Sequence, residues 1–368
     1  MAKKDESQDY LYKFAQDYID DYNKKTTGAV FEWNQRIANE FAQIPIETLI
    51  KDPYFLGFGD KVYDGVLQDI VDLFEERKKR QVNLVIFMEG IGSGKTTKSS
   101  IITWLQWFEL SLIDNPQDYF DLAPSSVIAL INMNRTEKQA KKVTFTEVFN
   151  RFQCGFNKDY FPIDSRFTTE IRISRNNTTI FPGTSSALSA LGYNLYGSII
   201  DEAAFLEVTE DSNKTVDGSF DACEEMYNAI YNRMTSRFMK HGKLPGMICM
   251  ISSPNFPDDF MHKQMELHDK IVKEAKEKGT IPDSGIFYRR RPMWEAKGHK
   301  FYPEFNGGYD EDGKLHKKDN FYIDTDNAEI ISDPKVIELL DAADAANFPI
   351  VSMEAEYLSK VAKYLKVG

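Results

Sequence analysis

Residues 84–97 constrain the chain more than any other stretch. Leu84-Val85-Ile86-Phe87-Met88 is a continuous apolar run, the pattern of a strand buried on both faces of a parallel sheet. It leads directly into Glu89-Gly90-Ile91-Gly92-Ser93-Gly94-Lys95-Thr96-Thr97, and a helix is expected from Lys95 to about Leu112. In that strand–turn–helix context, small residues let backbone N–H groups wrap phosphates, and the positive end of the helix dipole lies behind them. Gly90, Ile91, Gly92, Ser93, Gly94, Lys95, Thr96 and Thr97 are therefore the candidate nucleotide-binding residues. Lys95 would reach the β- and γ-phosphates of ATP, and the Thr96 hydroxyl would ligate Mg²⁺. One departure stands out. The pattern G-x-x-x-x-G-K-[ST] has Glu89 in place of its first glycine, with a glycine one position later.

A second acidic signal lies about 105 residues past the glycine-rich loop, in Ser198-Ile199-Ile200-Asp201-Glu202. A buried strand ending in two carboxylates can divide two tasks between them. Asp201 would hold Mg²⁺ through water, and Glu202 would orient and deprotonate an attacking water. A carboxylate beside the metal-binding one points to hydrolysis rather than to a small-molecule kinase. A third strand end, Met250-Ile251-Ser252-Ser253-Pro254, offers hydroxyls able to sense the γ-phosphate and pass its loss to a neighbouring segment.

The remaining pattern is that of an α/β sheet with crossover helices. Further apolar strands are expected at Val127–Ile131 and Met247–Ile251, a hairpin at Glu170–Phe181, and a charged helix at about Arg135–Phe152. A long helix is expected at about Phe220–Phe238. Residues 8–44 and Val66–Phe74 carry apolar and aromatic stripes at helical spacing. The last stretch, Met353–Leu365, reads as helical. This divides the chain into an N-terminal helical subdomain (1–60), a P-loop ATPase core (61–284) and a small C-terminal lid-like subdomain (285–368). The 368 residues carry 45 Lys+Arg against 57 Asp+Glu, a net charge of −12, which argues against a protein that coats nucleic acid by bulk charge but leaves room for a local basic groove. No apolar run approaches the length of a membrane span. Three widely spaced cysteines make neither a disulfide framework nor a zinc site.

From about Asp52 to Tyr302 the chain resembles the ATPase domain of the large terminase subunit, the motor that packages DNA into tailed-phage and herpesvirus capsids. The resemblance is carried by Asp52-Pro53-Tyr54-Phe55, the Gly90–Thr96 loop, Leu191-Gly192-Tyr193-Asn194, Asp201-Glu202-Ala203-Ala204-Phe205, Tyr227–Arg233, Ser236-Arg237-Phe238, Gly242–Gly246 and Ser252-Ser253-Pro254. It implies a P-loop fold of the additional-strand type and places Ser252 and Ser253 at the motif that couples hydrolysis to movement. It also implies double-stranded DNA as substrate, a portal protein and a small terminase subunit as partners, and work in the host cytoplasm with no membrane involved. Assembly would be a ring of identical subunits, with the isolated chain a monomer.

Two departures qualify what carries over. Ile91 stands where many terminases have an arginine, and no Lys or Arg occurs between Asn176 and Ile200. Arg233 and Arg237 are then the candidates for a charge-neutralising arginine, donated by a neighbouring subunit. After Tyr302 about 66 residues follow, too few for the terminase nuclease, so nuclease activity is not expected of this chain. Arg135, Lys138, Lys141 and Lys142 are candidate DNA contacts. The alternatives are a helicase-like or other P-loop DNA translocase, and a binding module whose P-loop only senses nucleotide.

Overall fold

The computed structural model describes residues 31–134, 144–184, 192–206, 208–209, 220–254, 259–280 and 282–297, and the backbone of three short strands beyond them. Residues 8–30 of the expected helical stretch 8–44 and the basic stretch Arg135–Lys142 lie outside the described residues, as does Leu191. Two short helices, α1 (Gln35–Phe41) and α2 (Ile46–Lys51), precede the long α3 (Asp64–Lys79). Strand β1 (Leu84–Glu89) then leads through the glycine-rich loop into α4 (Lys95–Ser111). β2 (Ile128–Asn134) is followed by α5 (Phe145–Arg151) and α6 (Gly155–Tyr160). The hairpin β3 (Ile171–Ile173) and β4 (Thr178–Thr184) comes next, then β5 (Asn194–Asp201). A two-stranded antiparallel pair, β6 (Val208–Thr209) and β7 (Phe220–Asp221), precedes α7 (Ala222–Phe238) and β8 (Ile248–Ser252). α8 (Phe260–Lys278), β9 (Ile286–Arg291) and α9 (Met293–Lys297) complete the core.

Seven strands form one sheet in the order β3-β4-β2-β5-β8-β1-β9. Every pairing is parallel except β3 with β4, where Ile171 faces Ile180. The fold is thus α/β with a mainly parallel sheet, and β8 is inserted between the loop-bearing β1 and the acidic β5. That insertion is the additional strand the resemblance implies. All six residues of β1 are buried, as are Trp104, Leu105, Trp107 and Phe108 on α4, which packs on the sheet. Each fully buried large apolar side chain contributes about 1.5–3 kcal/mol. Close backbone approach accounts for Gly246, where a Cβ would fall 1.8 Å from the Tyr196 carbonyl oxygen.

Two of the expected boundaries meet continuous structure. Trp33, Phe41 and Phe55 share one aromatic cluster with Trp104, Phe108 and Phe156, and the Trp33 indole donates to the Ser111 carbonyl at 3.1 Å. The described part of residues 1–60 is therefore packed into the main core rather than set apart as a helical subdomain. At the other end, β9 pairs along β1 from Leu84–Ile286 to Glu89–Arg291, so the sheet continues past residue 284. Its Tyr288-Arg289-Arg290-Arg291 half lacks an apolar run because an edge strand needs less burial than a central one. Strands β10 (Phe321–Asp324), β11 (Glu329–Ile330) and β12 (Tyr364–Val367) form a separate antiparallel sheet. Of the helix expected over Met353–Leu365, only Tyr364 and Leu365 are among the described residues, and they lie in the strand β12. Among the described residues, no helix is long and apolar enough to cross a membrane.

Candidate nucleotide-binding site

The three signal segments meet at the C-terminal edge of neighbouring strands, because β1, β8 and β5 run parallel and side by side. The loop after β1 turns through Gly92 (φ +81°) and Gly94 (φ +93°), backbone angles that favour glycine. A Cβ on Gly94 would also stand 3.2 Å from the Tyr63 ring and 3.3 Å from Val66. α4 begins at Lys95, and its first-turn N–H groups face the loop concavity, where an anion is stabilised by the helix dipole.

Lys95 Nζ donates to Ser253 Oγ at 2.6 Å and to the Gly90 carbonyl at 3.2 Å. Ser252, fully buried, accepts instead from the Ala204 N–H at 3.1 Å. The two serines at the end of β8 therefore look in different directions, one to the loop lysine and one to the turn after Glu202. Asp201 is buried. Its Oδ2 accepts from Asn134 Nδ2 at 3.1 Å and Thr144 Oγ1 at 3.2 Å, and its Oδ1 from the Glu202 N–H at 3.1 Å. Burial, and then the adjacent Glu202 carboxylate, push its pKa up to about 6. Glu202 adopts a left-handed backbone (φ +57°), a strained state for a non-glycine residue, which swings its side chain out of the strand and into the cleft.

That cleft encloses about 860 Å³ and is lined by Lys95, Thr96, Thr97, Glu202 and Ser253, with Phe58 and Arg151 across from them. Ile91 caps the loop tip, 84% exposed. The Thr96 hydroxyl and the Asp201 carboxylate are hard oxygen donors. They suit Mg²⁺, which takes one or two protein oxygens and completes its octahedron with phosphate and water.

The structure brings together the loop residues Gly90–Thr97, Asp201, Glu202, Ser252 and Ser253. It does not bring Arg233 or Arg237 there. Both lie in the C-terminal half of α7, whose last residue, Phe238, packs on Tyr196 near the start of β5, at the opposite end of that strand from Asp201. Arg237 is exposed and neither arginine lines the cleft. As donors to their own chain's site they are excluded, because a helix returning between parallel strands runs away from the strand ends.

Sequence reasoning missed Arg151, Asn134, Thr144 and Phe58. Arg151 lines the cleft, held by Glu147 at 2.6 Å and Ser100 Oγ at 3.3 Å, with its guanidinium 4.3 Å above the Phe58 ring. Its only local signal is the four-residue spacing from Glu147, which by itself indicates a solvated helix face.

Solved structures with similar architecture include the large terminase of bacteriophage HK97 (TM-score 0.43, 11% identity, 67% of this chain and 43% of that one). Others are the large terminase of the thermophilic bacteriophage D6E (TM-score 0.37, 11% identity, 63% and 46%) and the large terminase ATPase domain of Thermus phage P74-26 (TM-score 0.38, 15% identity, 60% and 81%). The chain thus spans less than half the length of the first two. No curated protein sequence matches it. A family model described as "Uncharacterized protein MJ0330, N-terminal P-loop domain" matches residues 57–320. That span runs from the cleft wall at Gly57 through the loop, both acidic residues and the edge strand β9, so the chain belongs to the family of MJ0330 N-terminal P-loop domains.

Proposed function

We propose that this protein is an ATP hydrolase that moves double-stranded DNA, a motor of the kind that packages viral genomes. The observation that supports it most is the bond from Lys95 Nζ to Ser253 Oγ, in the same cleft as Thr96 and Glu202. The phosphate-binding lysine and the hydroxyl at the end of the neighbouring strand are one hydrogen bond apart, so a change at the γ-phosphate has a direct route to the segment after β8.

Lys95 fixes the β- and γ-phosphates, and the N–H groups of Gly92–Thr97 surround them. The Thr96 hydroxyl and, through water, Asp201 would hold Mg²⁺, which would supply charge neutralisation to the phosphates. Asn134 and Thr144 keep Asp201 in one orientation. Glu202 orients the attacking water and accepts its proton. The terminase-like segments around this centre support DNA as the substrate. They also support a portal and a small terminase subunit as partners, ring assembly, and work in the host cytoplasm.

Glu202→Gln should retain ATP binding while slowing phosphate release by about 10²–10⁴, measured as steady-state turnover against a nucleotide dissociation constant. Wild-type turnover by this variant would remove Glu202 from the role of base. Turnover by the wild-type protein that double-stranded DNA leaves unchanged would remove the DNA-motor reading.

A further inference from the structure

Beneath the loop, two acidic and two basic side chains are packed together, three of them fully buried. Glu89, Lys98 and Asp69 are each 0% exposed, and the Arg291 side chain is 11% exposed. Lys98 Nζ pairs with both the Glu89 carboxylate and Asp69 Oδ2, the latter at 2.7 Å. Asp69 in turn accepts from Arg291 Nε at 3.0 Å through both oxygens. At the other end, Ser93 Oγ, itself fully buried, donates to Glu89 Oε2 at 2.8 Å.

The chain of contacts therefore runs from the edge strand β9, through α3 and the first turn of α4, to the middle of the glycine-rich loop. β9 touches the loop by its backbone as well, where the Gly90 N–H donates to the Arg291 carbonyl at 3.2 Å. α9, which follows, borders the loop too. A Cβ on Gly92 would sit 3.4 Å from Met293 Sδ and 3.9 Å from Lys297 Nζ.

A lone carboxylate at position 89 would oppose phosphate binding just above it. Two carboxylates matched by two cations carry no net charge, so the network can order the loop without repelling the ligand. Breaking such a network on one side leaves a buried charge uncompensated. Every member is thus held in place by the others.

We propose that Glu89 is a positioning residue for the nucleotide. Through Ser93 it holds the loop in its phosphate-binding shape, and through Lys98, Asp69 and Arg291 it makes that shape depend on the edge strand β9. This rests on the reading of the loop as a phosphate cradle, but not on hydrolysis or on DNA. The glycine of the usual pattern is then replaced not by a tolerated defect but by a brace that reaches a segment 200 residues away in sequence.

The test is the affinity for a fluorescent ADP analogue, together with thermal melting, for the wild type and two variants. Ser93→Ala leaves all four charges paired, so it should stay folded with a lowered melting temperature, while its dissociation constant, measured well below that temperature, rises about tenfold, as befits a lost bond to a charged acceptor. The charge-balanced pair Asp69→Asn with Arg291→Met changes no side chain of the loop and leaves the backbone bond from the Gly90 N–H to the carbonyl of residue 291 in place. Assayed well below its own melting temperature, it too should bind about tenfold more weakly. Nucleotide affinity within twofold of wild type for either variant would overturn the proposal. Failure of the wild-type protein itself to bind the analogue would overturn the phosphate-cradle reading along with it. Binding without turnover would count only against the hydrolase.

Discussion

Asp201 sits in a hydrogen-bond cage that both orients it and exposes it to a cost. Asn134, Thr144 and the Glu202 N–H occupy both of its oxygens, yet burial and the Glu202 carboxylate still raise its pKa to about 6. A pKa raised above the unfolded value favours the protonated folded form. In the metal-free protein, the stability this group contributes is therefore fully present below about pH 4 and is lost as pH rises through about 6. Metal binding needs the ionised form, so it follows the opposite course. Mg²⁺-dependent nucleotide affinity should fall as pH drops below about 6, while the melting temperature of the metal-free protein should not fall with it from this cause. Titrating both between pH 4.5 and 8 checks the pair of trends. An affinity that stayed flat across that range would mean that Asp201 does not reach the metal. Arg151 shows the same logic at another position, being held by Glu147, Ser100 and Phe58 before any ligand is considered.

At the scale of elements, α3, α4, β1 and β9 are joined by the buried charge network as well as by apolar packing. Burial alone would raise the Asp69 pKa, but Lys98 and Arg291 outweigh it and hold the carboxyl below its ordinary value. Burial alone would lower Lys98, but Asp69 and Glu89 outweigh that and raise it. A depressed carboxyl contributes stability that is present above its unfolded value and lost as pH falls through its folded value. The raised lysine contributes until pH climbs through its own folded value. Comparing melts of wild type with the Asp69→Asn, Arg291→Met pair should therefore give a constant difference between about pH 5 and 9 that shrinks below about pH 4. A difference that vanished already at pH 6 would show that the network is not ionised in the folded state. This network was not legible in the sequence. Glu89 appears there as a missing glycine, and Asp69 and Arg291 stand 222 positions apart.

Across the whole molecule, the parallel order β5-β8-β1 places the lysine loop, the acidic pair and the serine pair at one edge of the sheet. The arginines of α7 are left at the other end. A neighbouring subunit is one source of a charge-neutralising cation, and Arg151 in the same cleft is another that the structure offers within the chain. Arg151→Ala should then lower ATP turnover of the isolated chain by about tenfold or more, and by the same factor at every protein concentration. Turnover that climbs steeply with concentration, and that Arg151→Ala leaves unchanged, would assign the role to a neighbouring subunit instead.

What the sequence determined by itself was local. The apolar runs at Leu84–Met88, Val127–Ile131 and Met247–Ile251 fall on β1, β2 and β8, and Gly92 and Gly94 of the loop fall where the backbone takes positive φ. Each of these signals is contiguous, because a strand buried on both faces needs successive apolar residues, and a tight turn is set by its own residues. Tertiary structure alone decided which polar side chains converge. Asn134 and Thr144 meet Asp201, Arg151 meets Phe58, and Asp69 meets both Lys98 and Arg291 only after helices dock on the sheet. It also decided that the arginine-rich β9 is a strand, since an edge strand takes its order from pairing with β1 rather than from an apolar pattern of its own. The physical reason is common to all of them. A buried polar group must find its partner wherever packing puts one, and sequence distance does not enter that requirement.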